Sequence, residues 1–382
     1  MSRRHIAVLT GKRGGYGAMK PMLRAIDTDP LLRLSLIVTD QHVNPRFGAT
    51  ATEVARDFRI AAAVDMEQED GSPVARARAL GLCLNRMSDV LNELRPDILV
   101  LYGDRGEVLA TAITAIHLGI PIAHLQGGDL SGNVDELMRH AMTKLSHLHF
   151  PSTAESAERI RRMGEEEWRI HVAGDNHVDP IVAGNYSDEP TIRQRYGIAE
   201  GEKPIVVLQH PETTRRRDHY ADMRAILDAI LKCDRRTIIV YPCSDQGYDE
   251  IVRAIREVES HPGVSVHQNI DAPDFWGLLA IAGAMVGNSS AGLIETPYFK
   301  LPAINVGQRQ LGRLHAENVI HCNADRHSVA DALATAMEDT GFRERVAHCS
   351  RPFGDGLAWQ RVVEVLRTAA IGPDLLNKRM TY

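Results

Sequence analysis

His5-Ile6-Ala7-Val8-Leu9-Thr10 runs straight into Gly11-Lys12-Arg13-Gly14-Gly15-Tyr16-Gly17, and a helical pattern over Ala18–Ile26 follows. An unbroken apolar run that ends in a glycine-rich turn before a helix reads as the first strand of a parallel sheet, buried on both faces. The same signature recurs at Leu34–Thr39, Asp97–Tyr102, Pro121–Leu125 and, more weakly, Leu148–Pro151. Helical patterns over Ala75–Leu94 and Val134–His147 separate them; in the latter, Val134, Leu137, Met138, Ala141, Leu145 and Leu148 repeat at helical spacing. Strands alternating with helices predict βαβ units.

The pattern pauses over the polar stretch Ala183–Pro190 and then restarts, with strands predicted at Ile205–Gln209, Thr237–Tyr241, Val264–His267, Ala284–Val286 and Ala303–Val306. A boundary near residue 185 gives two α/β domains, 1–185 and 186–382, with a C-terminal helix over about 357–370 that can pack back on the first. Two doubly wound domains facing one another put an active site in the cleft between them, at the carboxyl ends of the strands.

Composition narrows the function. Of 382 residues, 44% are hydrophobic and 25% charged, as in a globular protein with a full core. A net charge of −6 gives nucleic acid no footing, and the arginine runs at Arg159–Arg162 and Arg215–Arg217 read as solvated faces. No apolar run is long enough to span a membrane, and no secretory leader precedes the first strand. The five scattered cysteines show neither metal spacing nor a disulfide framework, which fits a reducing cytoplasm.

The chemistry sits at predicted strand ends. Lys12 and Arg13 beside a glycine-rich turn and a helix start favour an anion; a flexible turn with exposed basic residues is the plainer account. After the third strand come Gly103-Asp104-Arg105, where Asp104 either acts on a ligand or caps the next helix. After the fourth come His124-Leu125-Gln126-Gly127-Gly128-Asp129, with Asn133 as a helix cap. Asp135 and Glu136 then sit in a first helical turn, four residues before Arg139 and His140, so i,i+4 pairing explains them locally. Taken together, Asp104, Asp129, Asp135 and Glu136 gather negative charge in one domain, where repulsion and desolvation raise some carboxyl pKa values for acid/base work. The second domain offers His210-Pro211 and Gly287-Asn288-Ser289-Ser290-Ala291-Gly292. Hydroxyls and amides before a helix suit a diphosphate, Glu295 one turn on suits ribose hydroxyls, and the plainer account makes Ser290 an N-cap. Arg309 and Arg313, in a glycine-flanked loop, add a second anion contact.

As a set, these stretches resemble the UDP-N-acetylglucosamine 2-epimerase family, and more closely its hydrolysing branch, which feeds sialic- and legionaminic-acid synthesis. The matching segments are Thr10–Gly17, Gly103–Arg105, His124–Asp129, Asp135–His149, His210-Pro211, Tyr241–Gly247, Gly287–Glu295 and Asn305–Gly312 with Glu317-Asn318, in order through nearly the whole chain. The resemblance implies a GT-B-like fold of two facing Rossmann-like domains and a reaction without cofactor or metal. UDP is eliminated across C1–C2 of the sugar, and water adds to the resulting 2-acetamidoglucal. It implies acid/base roles for Asp104, Asp135 and Glu136, with Asp129 beside them. It assigns Arg13, His210, Asn288, Ser289, Ser290, Glu295 and Arg313 to the nucleotide portion, with His210 also counted among the catalytic residues, Arg105 near the sugar, and Gln126 and Arg139 among the substrate-binding residues. It also implies a homodimer or homotetramer. Two stretches depart from the family pattern, at Gly15 and at Gln126 with Asp129. Relatives often carry Arg-Ala-Asp-Tyr where this chain has Arg13-Gly14-Gly15-Tyr16, and Gly-Gly-Glu, some with a second glutamate three residues earlier, where it has Asp129 and Gln126. The substrate expectation therefore includes UDP-GlcNAc and a UDP- or GDP-linked diacetamido sugar. A glycosyltransferase of the same architecture, a reversible non-hydrolysing epimerase and a non-catalytic nucleotide-sugar sensor are the competing readings.

Overall fold

A computed structural model describes residues 3–131, 134–213 and 217–382. The expected Asn133 cap and Arg215 lie outside the described residues. The chain divides into two compact units: residues 3–129, 134–183 and 353–382, and residues 184–352 with Leu130 and Ser131.

The first unit holds β1 (Arg4–Thr10), β2 (Leu32–Thr39), β3 (Ile60–Val64), β4 (Ile98–Tyr102), β5 (Ile122–Leu125) and β6 (Leu148–Phe150). They form one sheet in the order β3-β2-β1-β4-β5-β6, every pair parallel. Successive side chains of a strand point to opposite faces. Ile6, Val8, Leu36, Val38, Ile98 and Val100 accordingly enter one core, and Ala7, Leu9, Ile37, Leu99 and Leu101 the other. Both faces are covered, so these strands read as continuous apolar runs.

The second unit repeats the plan with β7 (Ile205–Leu208), β8 (Thr237–Val240), β9 (Val264–His267), β10 (Ala284–Gly287), β11 (Ala303–Val306) and β12 (Val319–Cys322). Their order is β12-β11-β10-β7-β8-β9, again all parallel. Counted from its own first strand, this is the same Rossmann order as in the first sheet, with the switch point beside that strand. Gly287 closes β10 with φ +136°, and a Cβ there would lie 2.1 Å from the Leu208 carbonyl oxygen. Only glycine lets the carboxyl ends of β7 and β10 approach so closely.

Two edge strands, β3 and β12, were absent from the sequence expectation. Ile60-Ala61-Ala62-Ala63-Val64 is alanine-rich, which locally favours helix. Val319–Cys322 is only four residues, none of them buried, and its His321 and Cys322 break the apolar run. Pairing with the neighbouring strand decides both.

Residues 353–382 belong to the first unit rather than continuing the second. The helix Ala358–Thr368 contributes Val362 and Leu366 to the first core. Its first amides, Ala358 N–H and Trp359 N–H, donate to the two carboxylate oxygens of Asp179 at 2.9 and 2.8 Å. The tail beyond it docks through Lys378, whose Nζ lies 2.6 Å from Glu165 Oε2. Glu165 is buried, which works against its charge, but hydrogen bonds from His149, Lys144 and Lys378 outweigh burial and hold its pKa at about 2. Its folded pKa lies below the ordinary value, so it contributes stability above about pH 4.5 that is lost as pH falls toward about 2. Burial holds His149 neutral down to about pH 4, so its forced charging works in the same direction. Acid titration should release the tail first: tryptophan fluorescence is expected to change below about pH 4.5, before global unfolding, and Glu165→Gln should abolish that early step. An early step that persists in Glu165→Gln would refute the assignment.

Candidate functional site

In the first unit the chemistry collects where β4 and β5 end. Asp104 does not cap the helix Gly106–His117; Arg105 occupies that position, without a side-chain cap. Asp104 turns instead to Arg139, with Oδ2 against Nη2. Arg139 rises from the helix Val134–Leu145 and is 2% exposed. Its Nη1 donates to the Asp129 carbonyl oxygen at 2.7 Å. Burial works against its charge, but Asp104, Asp129 and Asp135 together hold the guanidinium firmly protonated. The expected acidic cluster thus has a cation at its heart: Asp104, Asp129 and Asp135 gather round Arg139 rather than simply repelling one another. The Asp129 carboxylate accepts from Ser156 Oγ at 2.5 Å. Glu136, one residue on from Asp135, makes the i,i+4 pair with His140 at 3.7 Å. Below Asp104, burial lowers the His124 pKa to about 4, and the neutral ring holds the Gly103 carbonyl at 2.7 Å through Nε2.

One expectation is corrected here, and Arg13 and Arg105 gain partners the sequence did not name. The glycine-rich stretch is not all turn: the helix begins at Arg13, so Gly14, Gly15 and Gly17 lie within its first turns. The turn itself reduces to Gly11-Lys12, and Gly11 is needed because a Cβ would meet Glu107 Oε1 at 2.8 Å. Arg13 is drawn to Glu53, with Nε 2.8 Å from Oε2. Arg105 is buried in an ion-pair network that the sequence did not disclose, lying 3.1 Å from Asp40 and 3.0 Å from Glu107. Arg76 closes the network at 3.3 Å from Asp40 and 2.6 Å from Glu107. Two acids face two guanidiniums within it, so Arg105 braces the carboxyl ends of β2 and β4.

Gln126 has φ +63°, a left-handed conformation costly for a side chain with a Cβ. That turn carries its Nε2 to 2.5 Å from Asp175 Oδ2. Asp175 also accepts from Ser152 Oγ at 3.1 Å, and its other oxygen lies 2.9 Å from His177 Nδ1. Tyr102 Oη stands 2.9 Å from the same ring nitrogen. Burial opposes the Asp175 charge, but His177 and the surrounding hydrogen bonds hold its pKa below the ordinary range. Neither Asp175 nor His177 was anticipated, since His177 follows no strand; the adjacent Gly174-Asp175-Asn176 turn signal was the available clue.

In the second unit the ends of β7 and β10 are tied together. Asn288 is fully buried, accepts from the His210 N–H at 2.7 Å and donates to the His210 carbonyl at 2.9 Å. Its side chain therefore places His210. The Cys243 N–H donates to His210 Nδ1 at 3.1 Å, so the ring hydrogen of neutral His210 sits on Nε2, as a donor. Ser289 Oγ accepts from Ala291 N–H at 3.3 Å, whereas Ser290, at the cap position of the four-residue helix Ala291–Ile294, makes no side-chain cap. The cap expected of Ser290 thus falls to Ser289. Glu295 Oε2 accepts from Trp276 Nε1 at 2.7 Å. The loop after β11 folds onto this edge: Arg309 Nη1 and Gln310 Nε2 donate to the Asn288 carbonyl at 3.4 and 2.9 Å. Arg313 Nη1 reaches Gln310 Oε1 at 3.3 Å. Glu212, not foreseen, receives the Gln308 N–H at 2.7 Å and anchors that loop. His210, Ser289 and the two arginines thus share one strand-end neighbourhood of hydrogen-bond donors. No cluster of three or more metal-type ligands occurs among the described residues, and no described helix is long and apolar enough to cross a membrane.

Comparison with known proteins bears on the family and the fold. The family model described as UDP-N-acetylglucosamine 2-epimerase matches residues 24–367. The chain is 35% identical over 380 residues to the UDP-N,N'-diacetylbacillosamine 2-epimerase (hydrolyzing) of Legionella pneumophila, covering 99% of this chain and 100% of that one. It is 29% identical to the GDP/UDP-N,N'-diacetylbacillosamine 2-epimerase (hydrolyzing) of Campylobacter jejuni, with 84% of each chain covered. In fold it resembles the crystal structure of the UDP-GlcNAc 2-epimerase of Neisseria meningitidis bound to UDP-GlcNAc, with TM-score 0.82 at 16% identity over 95% of this chain and 99% of that one.

Proposed function

Because this chain belongs to the UDP-N-acetylglucosamine 2-epimerase family, we propose that it is a hydrolysing nucleotide-sugar 2-epimerase. The observation that carries the reading is the gathering of Asp104, Asp129 and Asp135 around the buried Arg139 at the carboxyl ends of β4 and β5. A base removes the C2 proton, the C1–O bond breaks, and the nucleotide leaves with its electron pair. Water then adds to C1 of the glycal while C2 is protonated from the other face. Acid/base work of this kind needs several positioned proton carriers, and the first unit supplies them in Asp104, Asp135 and Glu136 with Asp129 beside them. The second unit takes the nucleotide: His210 Nε2–H, the Ser289 and Ser290 hydroxyls, Arg309 and Arg313 receive the diphosphate, and Glu295 the ribose. Donors fixed before the reaction also stabilise the charge that develops on the leaving group.

The preferred substrate is a UDP-linked 2,4-diacetamido-trideoxy sugar, supported by the full-length similarity to the Legionella enzyme. UDP-GlcNAc and the GDP-linked sugar are the alternatives to be compared with it. The product is then a free mannosamine-type sugar of the kind that sialic- and legionaminic-acid synthesis consumes, made in the cytoplasm by a homo-oligomer. Incubating the purified chain with the three nucleotide sugars in deuterated water should yield free nucleotide and a free sugar carrying deuterium at C2. Nucleotide-linked product would turn the reading to a reversible epimerase, and release only with an added acceptor to a glycosyltransferase. Intact substrates throughout would remove it.

A further inference from the structure

We propose that His315 and His321 form a site for a divalent cation of the zinc, nickel and copper group, held by two imidazole nitrogens and completed by water. The site lies in the second unit, takes no part in the sugar chemistry and does not rest on the 2-epimerase reading. His321 belongs to the edge strand β12 and pairs in register with Asn305 of β11. His315 stands in the segment that leads into β12, two residues after Arg313. Both histidines are exposed. His321 also lines a surface cavity of about 500 Å³ together with Asn305, Gly307 and Asp331.

The two Nε2 atoms lie 3.2 Å apart. Two nitrogens bound to one tetrahedral zinc, each at about 2.0–2.1 Å, are separated by the edge of the tetrahedron, about 3.3–3.4 Å. The ring planes meet at 68° with centroids 4.7 Å apart, so the nitrogens converge without the rings stacking.

The far side of each ring is held as well. His315 Nδ1 lies 2.9 Å from the Ala316 carbonyl oxygen. A carbonyl only accepts, so Nδ1 of the neutral ring carries the hydrogen and Nε2 keeps its lone pair. A metal-binding histidine has this arrangement, with its second nitrogen donating to a carbonyl or carboxylate. His321 Nδ1 lies 3.0 Å from the side-chain amide of Asn305. Asn305 is 2% exposed, and its Oδ1 has no hydrogen-bond partner. A half-turn of that amide exchanges Nδ2 for Oδ1, and the idle acceptor then receives the Nδ1–H that a metal-bound His321 requires.

Without metal the same atoms form a chain of hydrogen bonds. Asn305 Nδ2 donates to His321 Nδ1, and His321 Nε2 donates to His315 Nε2. That chain explains the 3.2 Å contact but not the acceptor left idle in the interior, which is costly. Partial burial and the neighbouring His315 lower the His321 pKa, so its ring is neutral at pH 7, as a ligand must be. On binding, His321 loses its Nε2 hydrogen to solvent and takes one up at Nδ1, with no net release of protons. Imidazole suits zinc, nickel and copper, whereas magnesium and calcium seek oxygen. Among the described residues no third ligand of the usual kind joins the pair; the exposure of both rings leaves room for water in the remaining positions.

Calorimetric titration of the full-length, untagged protein with Zn²⁺ at neutral pH should reveal a site that His315→Ala and His321→Ala each weaken by at least about tenfold, a loss seen even when only a group supporting a ligand is removed. Zn²⁺ should also raise the Tm of the wild type and of neither variant, and Mg²⁺ should leave all three unchanged. Zinc affinity and thermal response that survive in both variants, or an equal response to Mg²⁺, would overturn the inference. Both side chains are exposed, so the variants are expected to fold. Should His315→Ala fail to do so, His315→Gln is read instead, since it keeps a polar side chain but lacks the imidazole: lost zinc binding supports the site, and wild-type binding refutes it.

Discussion

Arg139→Leu is expected to destabilise the protein by about 3–5 kcal/mol, the range seen when one partner of a buried ion pair is removed and the other is left behind. Arg139 is 2% exposed and answers Asp104, the Asp129 carbonyl and the field of Asp135. Leucine fills much of the stem volume, so the lost energy comes from stranded acceptors rather than from a cavity. The Asp129 carbonyl loses its donor, and the carboxylates around it lose the cation that lets them sit together. By the scaling for domains of this size, the loss is a fall in Tm of roughly 10 °C. Urea unfolding of Arg139→Leu, Asp104→Leu and the double variant measures the coupling directly: the double variant should be less destabilised than the sum of the singles. Additive losses, or a loss under about 1 kcal/mol for Arg139→Leu, would show that the guanidinium is not what assembles the cluster.

That cluster also shows where the sequence was readable. Apolar runs bounded by glycine gave the central strands of both sheets, because strands covered on both faces need no polar alternation. The edge strands Ile60–Val64 and Val319–Cys322 escaped because neither has two covered faces and their pairing is non-local. Strand-end carboxylates were visible because the carboxyl ends of a parallel sheet are where side chains meet a ligand. The partners of those residues were not visible. Nothing local says that Arg105 will turn to Asp40, a residue 65 positions away joined to it by the β2–β1–β4 order. Helical spacing offered Asp135–Arg139 and Glu136–His140 as equal pairs. Burial separated them, leaving the second half-buried and sending Arg139 fully inward to Asp104. Gln126 was legible as a departure from the family pattern, but its meaning needed Asp175, 49 residues away in sequence.

Asp104→Asn isolates chemistry from architecture. Asparagine keeps the shape and one acceptor oxygen, and Arg139 retains the Asp129 carbonyl and the field of Asp135. Stability should fall only by the amount of a weakened charged hydrogen bond, about 1–3 kcal/mol, leaving the variant folded at assay temperature. Activity should fall much further. Asp104 is 19% exposed on its side chain while its partner is buried, so one part of the carboxylate grips Arg139 and the rest remains accessible to a ligand. An amide at that position can hold a hydroxyl but cannot carry a proton, so kcat is expected to drop by about 10²- to 10⁴-fold while KM changes little. Asp135→Asn provides the comparison. Asp135 acts on Arg139 through its field, so a purely electrostatic contribution from the cluster would make the two variants lose activity alike. A deeper kcat loss in Asp104→Asn, at similar thermal stability, identifies Asp104 as the carrier of a proton. If Asp104→Asn turns over at the wild-type rate, the carboxylate belongs to the scaffold of Arg139, and the acid/base assignment at the end of β4 is wrong.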